Sequence, residues 1–173
     1  MGDFKALGLF APEPLTDSHD FSDFRCGRPS LDAWLSDRAL ANQSANYTKT
    51  FVVRDPEMRV RAYYALCAGM ILRKDVPRSQ RSHGSPNEIP IALLARLAVH
   101  EDLHGKGIGK ALLTNALRNA ASASQAVAFR AVVVDALDAD AARFYEQLGF
   151  QPTPISPLKL ILPMQDILAS MGV

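Results

Sequence analysis

The feature that most constrains this chain is the stretch Ile91–Val99, a nearly unbroken apolar run interrupted by Arg96. It is followed by Gly105-Lys106-Gly107-Ile108-Gly109 and then by a helical pattern. A run of this kind is a strand buried on both faces, which demands layers on either side of a sheet. A strand running into a glycine loop and a helix begins a parallel crossover, so the chain reads as α/β. Glycines let the main chain approach a ligand closely. The first amides of the helix have no intrahelical partner, and the helix dipole adds positive potential, as do Lys106 and Lys110. The loop therefore reads as an anion site, against the plainer alternative of a turn that only packs helix on strand. Two phosphate motifs are excluded. Gly105 and Gly109 have three residues between them where a P-loop needs four, and Ala111 follows Lys110 where Ser or Thr is required. The third glycine falls one position early for a dinucleotide fingerprint.

Periodicity places the other elements. Residues 7–15 read as an edge strand. Pro29-Ser30 opens a helix to about Ser44, with Ser30 as N-cap, Asp32 in the first turn, and Leu31, Trp34 and Leu35 on one face. Thr48–Arg54 and Arg59–Leu72 read as strands joined by the turn Asp55-Pro56-Glu57. The polar stretch from Lys74 to about Glu88 is long for a loop, the kind that is functional or mobile. A helix runs from Gly107 to about Ala121, and Ala128–Val134 is a second buried strand. Asp138 caps a helix through Ala141, Ala142, Phe144, Tyr145 and Leu148, ended by Gly149. Leu158–Leu162 is a last strand and Met164–Met171 a terminal helix. The order β-α-β-β-β-α-β-α-β predicts one domain over residues 1–173, its sheet part antiparallel and part parallel.

With 173 residues, 48% of them apolar, the chain can build one core. Its apolar runs are too short to span a membrane. Met1–Ala6 has neither the basic start of a signal peptide nor the Ser or Thr that myristoylation needs at position 6. Cys26 and Cys67 read as reduced thiols, with one disulfide arithmetically open. His19, His83, His100 and His104 lack metal-ligand spacing with them. A soluble cytoplasmic protein with no metal and no membrane partner is expected. Net charge is +1, yet Arg25–Arg81 holds eleven Lys/Arg against five Asp/Glu. That is either a solvated basic face or a surface for a polyanion.

Leu97-Ala98-Val99 followed by His104-Gly105-Lys106-Gly107-Ile108-Gly109 resembles motif A of the GNAT acetyltransferases, usually written Q/R-x-x-G-x-G/A. Val134-Asp135-Ala136 and Ala141–Phe150 resemble the rest of that signature, so the likeness covers roughly residues 91–151. It departs at His104, where Gln or Arg is usual. The resemblance implies the GNAT fold, a mixed sheet flanked by helices with a splayed central strand pair, and acetyl-CoA as co-substrate. Its pyrophosphate would lie on His104, Gly105, Lys106, Gly107, Ile108, Gly109 and Lys110. Its pantetheine arm would lie along Leu97, Ala98 and Val99 like an added strand. A main-chain amide near Leu97 or Ala98 would meet the oxyanion. Tyr145 would protonate the leaving thiolate, with Phe144 turned to the core. Tyr63 and Tyr64 read as packing or acceptor-pocket residues. No general base is evident, since Glu88 and Glu101 read as solvated carboxylates. An α-amino group titrates near 7.7–8.0, and an ester lowers that further, so such an acceptor needs none.

Phe24-Arg25-Cys26-Gly27, Ser30-Leu31-Asp32, Trp34-Leu35, Ala62–Leu66, Ile89–Ile91 and Leu94–Val99 resemble, more narrowly, the acetyltransferase toxins of bacterial type II toxin–antitoxin modules. Those toxins acetylate the α-amino group of aminoacyl-tRNA and are neutralised by a ribbon-helix-helix antitoxin. The basic bias of residues 25–81 is compatible with a tRNA backbone, with Arg73, Lys74, Arg78 and Arg81 as its phosphate contacts and Arg96, beside the cofactor strand, at the acceptor end or in an ion pair, while the resemblance implies a homodimer. An acetyltransferase for a small amine and a non-catalytic acetyl-CoA sensor are the alternatives.

Overall fold

The computed structural model describes residues 3–172. Its strands are β1 (Glu13–Pro14), β2 (Lys49–Arg54), β3 (Val60–Leu72), β4 (Glu88–Val99), β5 (Ala131–Asp135), β6 (Gln151–Pro152) and β7 (Lys159–Pro163). They form one sheet in the order β1-β2-β3-β4-β5-β7-β6. β4 and β5 pair in parallel, whereas β1–β2, β2–β3, β5–β7 and β6–β7 are antiparallel. The helices are α1 (Pro29–Asp37), α2 (Ala39–Ser44), α3 (Ile108–Ala123), α4 (Ala139–Gln147) and α5 (Met164–Ser170). This is the mixed α/β sheet expected from the order of elements. The contacts gather into two compact units. One holds the residues up to Cys67 with Ala95–Ala116, the other Ala68–Leu94 with Leu117 onward.

The first unit is built on Leu15, Phe24, Leu31, Leu35, Val52 and Tyr63, all buried. Two local expectations change there. The edge strand over 7–15 shrinks to β1, because Pro12 and Pro14 have no N–H to give a ladder. The helix expected to run to Ser44 breaks at Arg38, whose φ of −127° makes it the boundary of both α1 and α2. The break lets Gln43 reach the sheet. Its amide donates to the Leu15 carbonyl at 2.6 Å and accepts from the Thr50 N–H at 2.9 Å. Pro29 takes the first helical position with Arg28 as N-cap, so Ser30 lies inside α1 rather than capping it.

In the second unit Ile71, Val76, Ile89, Ile91, Val133 and Ile161 make the core. Asp138 caps α4 as expected, its Oδ1 accepting from the Ala141 N–H at 2.9 Å. Gly149 follows the helix at φ +100°, the left-handed geometry that suits glycine. β5 starts later than expected, at Ala131, and β6 left no periodic trace because it is two residues long. The long polar loop is ordered by two 3-10 turns, Arg73–Asp75 and Arg78–Gln80.

Candidate active site

In the first unit β4 ends at Val99, a 3-10 turn spans Glu101–Leu103, and the chain then climbs into α3. Gly105 and Gly107 have φ of +78° and +79°, which other residues adopt only with strain. A side chain added at Gly105 would meet no atom of the protein within 4 Å, so the protein's own packing does not require a glycine there. The first main-chain bond of the helix runs from the Ala111 N–H to the Gly107 carbonyl at 3.2 Å. The amides of Ile108, Gly109 and Lys110 precede that turn and have no intrahelical acceptor. Lys106 and Lys110 are exposed beside them. Left-handed glycines, open amides and two cations make an anion cradle, which fits a pyrophosphate.

The end of β4 departs from the uniformly buried strand read from the sequence. Its pairing with β5 covers Ile91–Leu94. Beyond it Ala95, Arg96 and Leu97 are all half-buried, Ala98 is buried and Val99 half-buried. His104 turns back on this strand, its Nε2 lying 2.8 Å from the Val99 carbonyl. Because a carbonyl only accepts, Nε2 is the donor in this contact. Arg96 lies with its guanidinium 5.0 Å over the Trp34 ring and donates to its own neighbour, the Ala95 carbonyl, at 2.8 Å. Among the described residues its partners are a ring and a carbonyl, so the ion pair left open as an alternative is not what holds it. Trp34 stacks in turn on Tyr63 at 6.0 Å, and the Tyr63 hydroxyl donates to the Leu31 carbonyl at 2.7 Å. Tyr63 and Tyr64 are fully buried, which makes them packing residues rather than pocket lining.

In the second unit Tyr145 lies on the buried side of α4, 6% exposed, edge-on to Phe144 and Phe150 at 5.2 and 5.5 Å. Phe144 is the more exposed of the neighbours, so it is not the core-facing residue expected. Of the four cations expected on phosphates, two spend donors on their own loop. Arg81 donates to the Val76 and Lys74 carbonyls, both at 2.8 Å, and Arg73 to the Ser85 hydroxyl at 2.8 Å. Lys74 and Arg78 are exposed. Arg130, which the sequence reading did not single out, lines one cavity with Gln80, Arg81, Ile89 and Ile161. It stands alone at the start of β5, without a motif to mark it.

Burial disfavours the thiolate form of both cysteines. Both are free thiols. Burial, then a hydrogen bond with Asp32, pushes the Cys26 thiol up to about 11, and burial raises Cys67 as well. Among the described residues no group of three or more His, Cys, Asp or Glu could hold a metal ion. No helix among them is long and apolar enough to cross a membrane.

Residues 48–152 match the family model described as an acetyltransferase (GNAT) domain. The chain is 38% identical to a tRNA-acetylating toxin of Mycobacterium tuberculosis, covering 95% of this chain and 98% of that one. It superposes on AtaT complexed with acetyl-methionyl-tRNAfMet with a TM-score of 0.87, at 30% identity over 94% of this chain and 99% of that one. It also superposes on a mutant AtaT toxin bound to the C-terminus of the antitoxin AtaR and acetyl-CoA. There the TM-score is 0.81, at 27% identity over 96% and 99% of the two chains.

Proposed function

The chain belongs to the GNAT acetyltransferases, and from that membership we propose that it is a toxin that acetylates the α-amino group of aminoacyl-tRNA and so blocks translation. The observation that carries the acceptor is the likeness, over nearly the whole of both chains, to a tRNA-acetylating toxin. The cradle from Gly105 to Lys110 supports acetyl-CoA as donor.

Acetyl-CoA supplies the acetyl thioester. His104, Gly105, Lys106, Gly107, Ile108, Gly109 and Lys110 would hold its pyrophosphate, chiefly through main-chain amides. Leu97, Ala98 and Val99 would offer main-chain groups to the pantetheine arm, with an amide near Leu97 or Ala98 facing the charge that develops on the carbonyl oxygen. Tyr145 would give its phenolic proton to the departing sulfur. The acceptor amine of an aminoacyl ester is already largely neutral, so no side chain need deprotonate it first. Lys74 and Arg78 are the cations best exposed for tRNA phosphates, with Arg73 and Arg81 shaping the loop that presents them. Arg96, stacked on Trp34 and with no carboxylate partner among the described residues, is suited to the acceptor end. A ribbon-helix-helix antitoxin, a homodimer and a cytoplasmic location belong to the same proposal. The complex of AtaT with its antitoxin supports an antitoxin as partner.

Induced expression tests the reading. Wild type should arrest growth while Tyr145→Phe, equally soluble and abundant, should not. Unhindered growth with both proteins would count against the toxin and favour a small-amine acceptor.

A further inference from the structure

His100 stands between the last residue of β4 and the turn that leads into the glycine cradle, and it is 5% exposed. Its Nδ1 accepts from the Asp102 N–H at 3.1 Å, which makes it the N-cap of the Glu101–Leu103 turn. Its Nε2 lies 3.2 Å from the Asp23 carbonyl. One neutral tautomer satisfies both contacts, with the proton on Nε2 and the lone pair on Nδ1. The main chain reinforces the junction. The His100 N–H donates to the Arg61 carbonyl at 2.9 Å and the Glu101 N–H to the Arg25 carbonyl at 2.8 Å. The Asp23–Arg25 segment therefore braces the start of the cradle, and the imidazole hydrogen-bonds to both.

We propose that His100 is the positioning residue of the phosphate cradle, and that it holds the cradle only as the neutral imidazole. Acetyl-CoA binding then weakens on acidification through this one side chain. A second proton would arrive at Nδ1, where it would face the Asp102 N–H, and the turn would lose the side-chain acceptor that caps it. The groups facing the ring offer a substitute only if it moves. The Asp102 carboxylate is 3.7 Å from Nδ1 and is itself held by Arg61 at 3.6 Å, while the edge contact with Phe24 at 6.0 Å is apolar. Turning toward Asp102 abandons the N-cap geometry, and residues 104–107 follow directly on that turn.

The inference rests on acetyl-CoA as the ligand of the cradle, and its test separates the two claims. Acetyl-CoA affinity of the full chain is measured by calorimetry at pH 7.5 and 5.5 for wild type, His100→Asn and His100→Ala. Asparagine can accept the Asp102 N–H as an N-cap and does not titrate in this range. Wild type should lose about fivefold in affinity on acidification, equivalent to about 1 kcal/mol, and His100→Asn should not. His104 is present in every protein compared, so the difference between the curves belongs to His100. His100→Ala should bind more weakly at both pH values. If it does not fold, the asparagine curve decides alone. Equal pH dependence in wild type and His100→Asn would overturn the proposal. If wild type does not bind acetyl-CoA, the premise fails. Protection of the Asp102 amide from hydrogen exchange then decides whether His100 holds the turn: it should fall with acid in wild type and not in His100→Asn.

Discussion

Replacing Gly107 with alanine tests the cradle at its most constrained point. The residue sits at φ +79°, where an L-side chain costs about 1–2 kcal/mol. It cannot easily leave that geometry, because its carbonyl accepts the first main-chain bond of α3, from Ala111 at 3.2 Å. If the strain persists in the free protein, the melting temperature should fall by about 2–8 °C, at roughly 2–4 °C per kcal/mol for a chain of this size. If the free loop relaxes instead, binding must restore the shape, and acetyl-CoA affinity should fall about five- to thirtyfold. Gly109→Ala is the contrast. Gly109 is the second residue of α3 and is not left-handed, so alanine there should leave stability unchanged or raise it by up to about 1 kcal/mol. If the pyrophosphate lies on the first amides of α3 as proposed, a methyl at Gly109 crowds it, so affinity should drop without loss of stability. Thermal unfolding with and without acetyl-CoA, together with calorimetry, measures both quantities. A Gly107→Ala protein unchanged in both would refute the cradle reasoning, and Gly109→Ala binding at wild-type strength would refute the close approach.

Tyr63→Phe removes the hydroxyl bonded to the Leu31 carbonyl but keeps the ring stacked on Trp34. It should cost about 1 kcal/mol in denaturant unfolding and leave acetyl transfer intact; a selective loss of turnover would move Tyr63 into the acceptor site. Lys74→Glu and Arg78→Glu should each weaken tRNA binding and reduce its salt slope by about 1, whereas an unchanged slope would remove that residue from the phosphate contacts. The raised Cys26 thiol carries a pH dependence of known sign. The unfolded thiol titrates near 8.5, whereas the folded one titrates at about 11. Its stabilising contribution is therefore present below the first value and is lost as pH rises toward the second. Urea midpoints between neutral and alkaline pH should fall less steeply for Cys26→Ala, and parallel curves would contradict the shift.

The architecture was legible where a signal was long or chemically specific. The first half of the apolar run of β4, the existence of β3, the Asp138 cap and the C-terminal glycine of α4 each have a local physical cause, and each was read correctly. Short elements were not legible: β6 spans two residues, too few for a period, and the break at Arg38 serves a tertiary contact of Gln43. The left-handed cradle was legible because glycine spacing before a helix has few other uses. The brace behind it was not. His100 and the Asp23–Arg25 segment lie far apart in the chain and meet through main-chain atoms, which leave no pattern in side-chain identity. Arg73 and Arg81 show the same limit, since composition counts their charge but not the carbonyls and hydroxyl that occupy their donors.

The central claim is a transfer of acetyl from acetyl-CoA to the amine of aminoacyl-tRNA, and the direct measurement uses the purified full chain. Acetyl-CoA is mixed with a pool of charged tRNA, thiol release is followed, and the aminoacyl ends are identified by mass spectrometry. Wild type should release thiol in step with N-acetyl-aminoacyl-tRNA, while Tyr145→Phe should bind acetyl-CoA normally and do little of either. Thiol release with free small amines, but none with aminoacyl-tRNA, would contradict the claim.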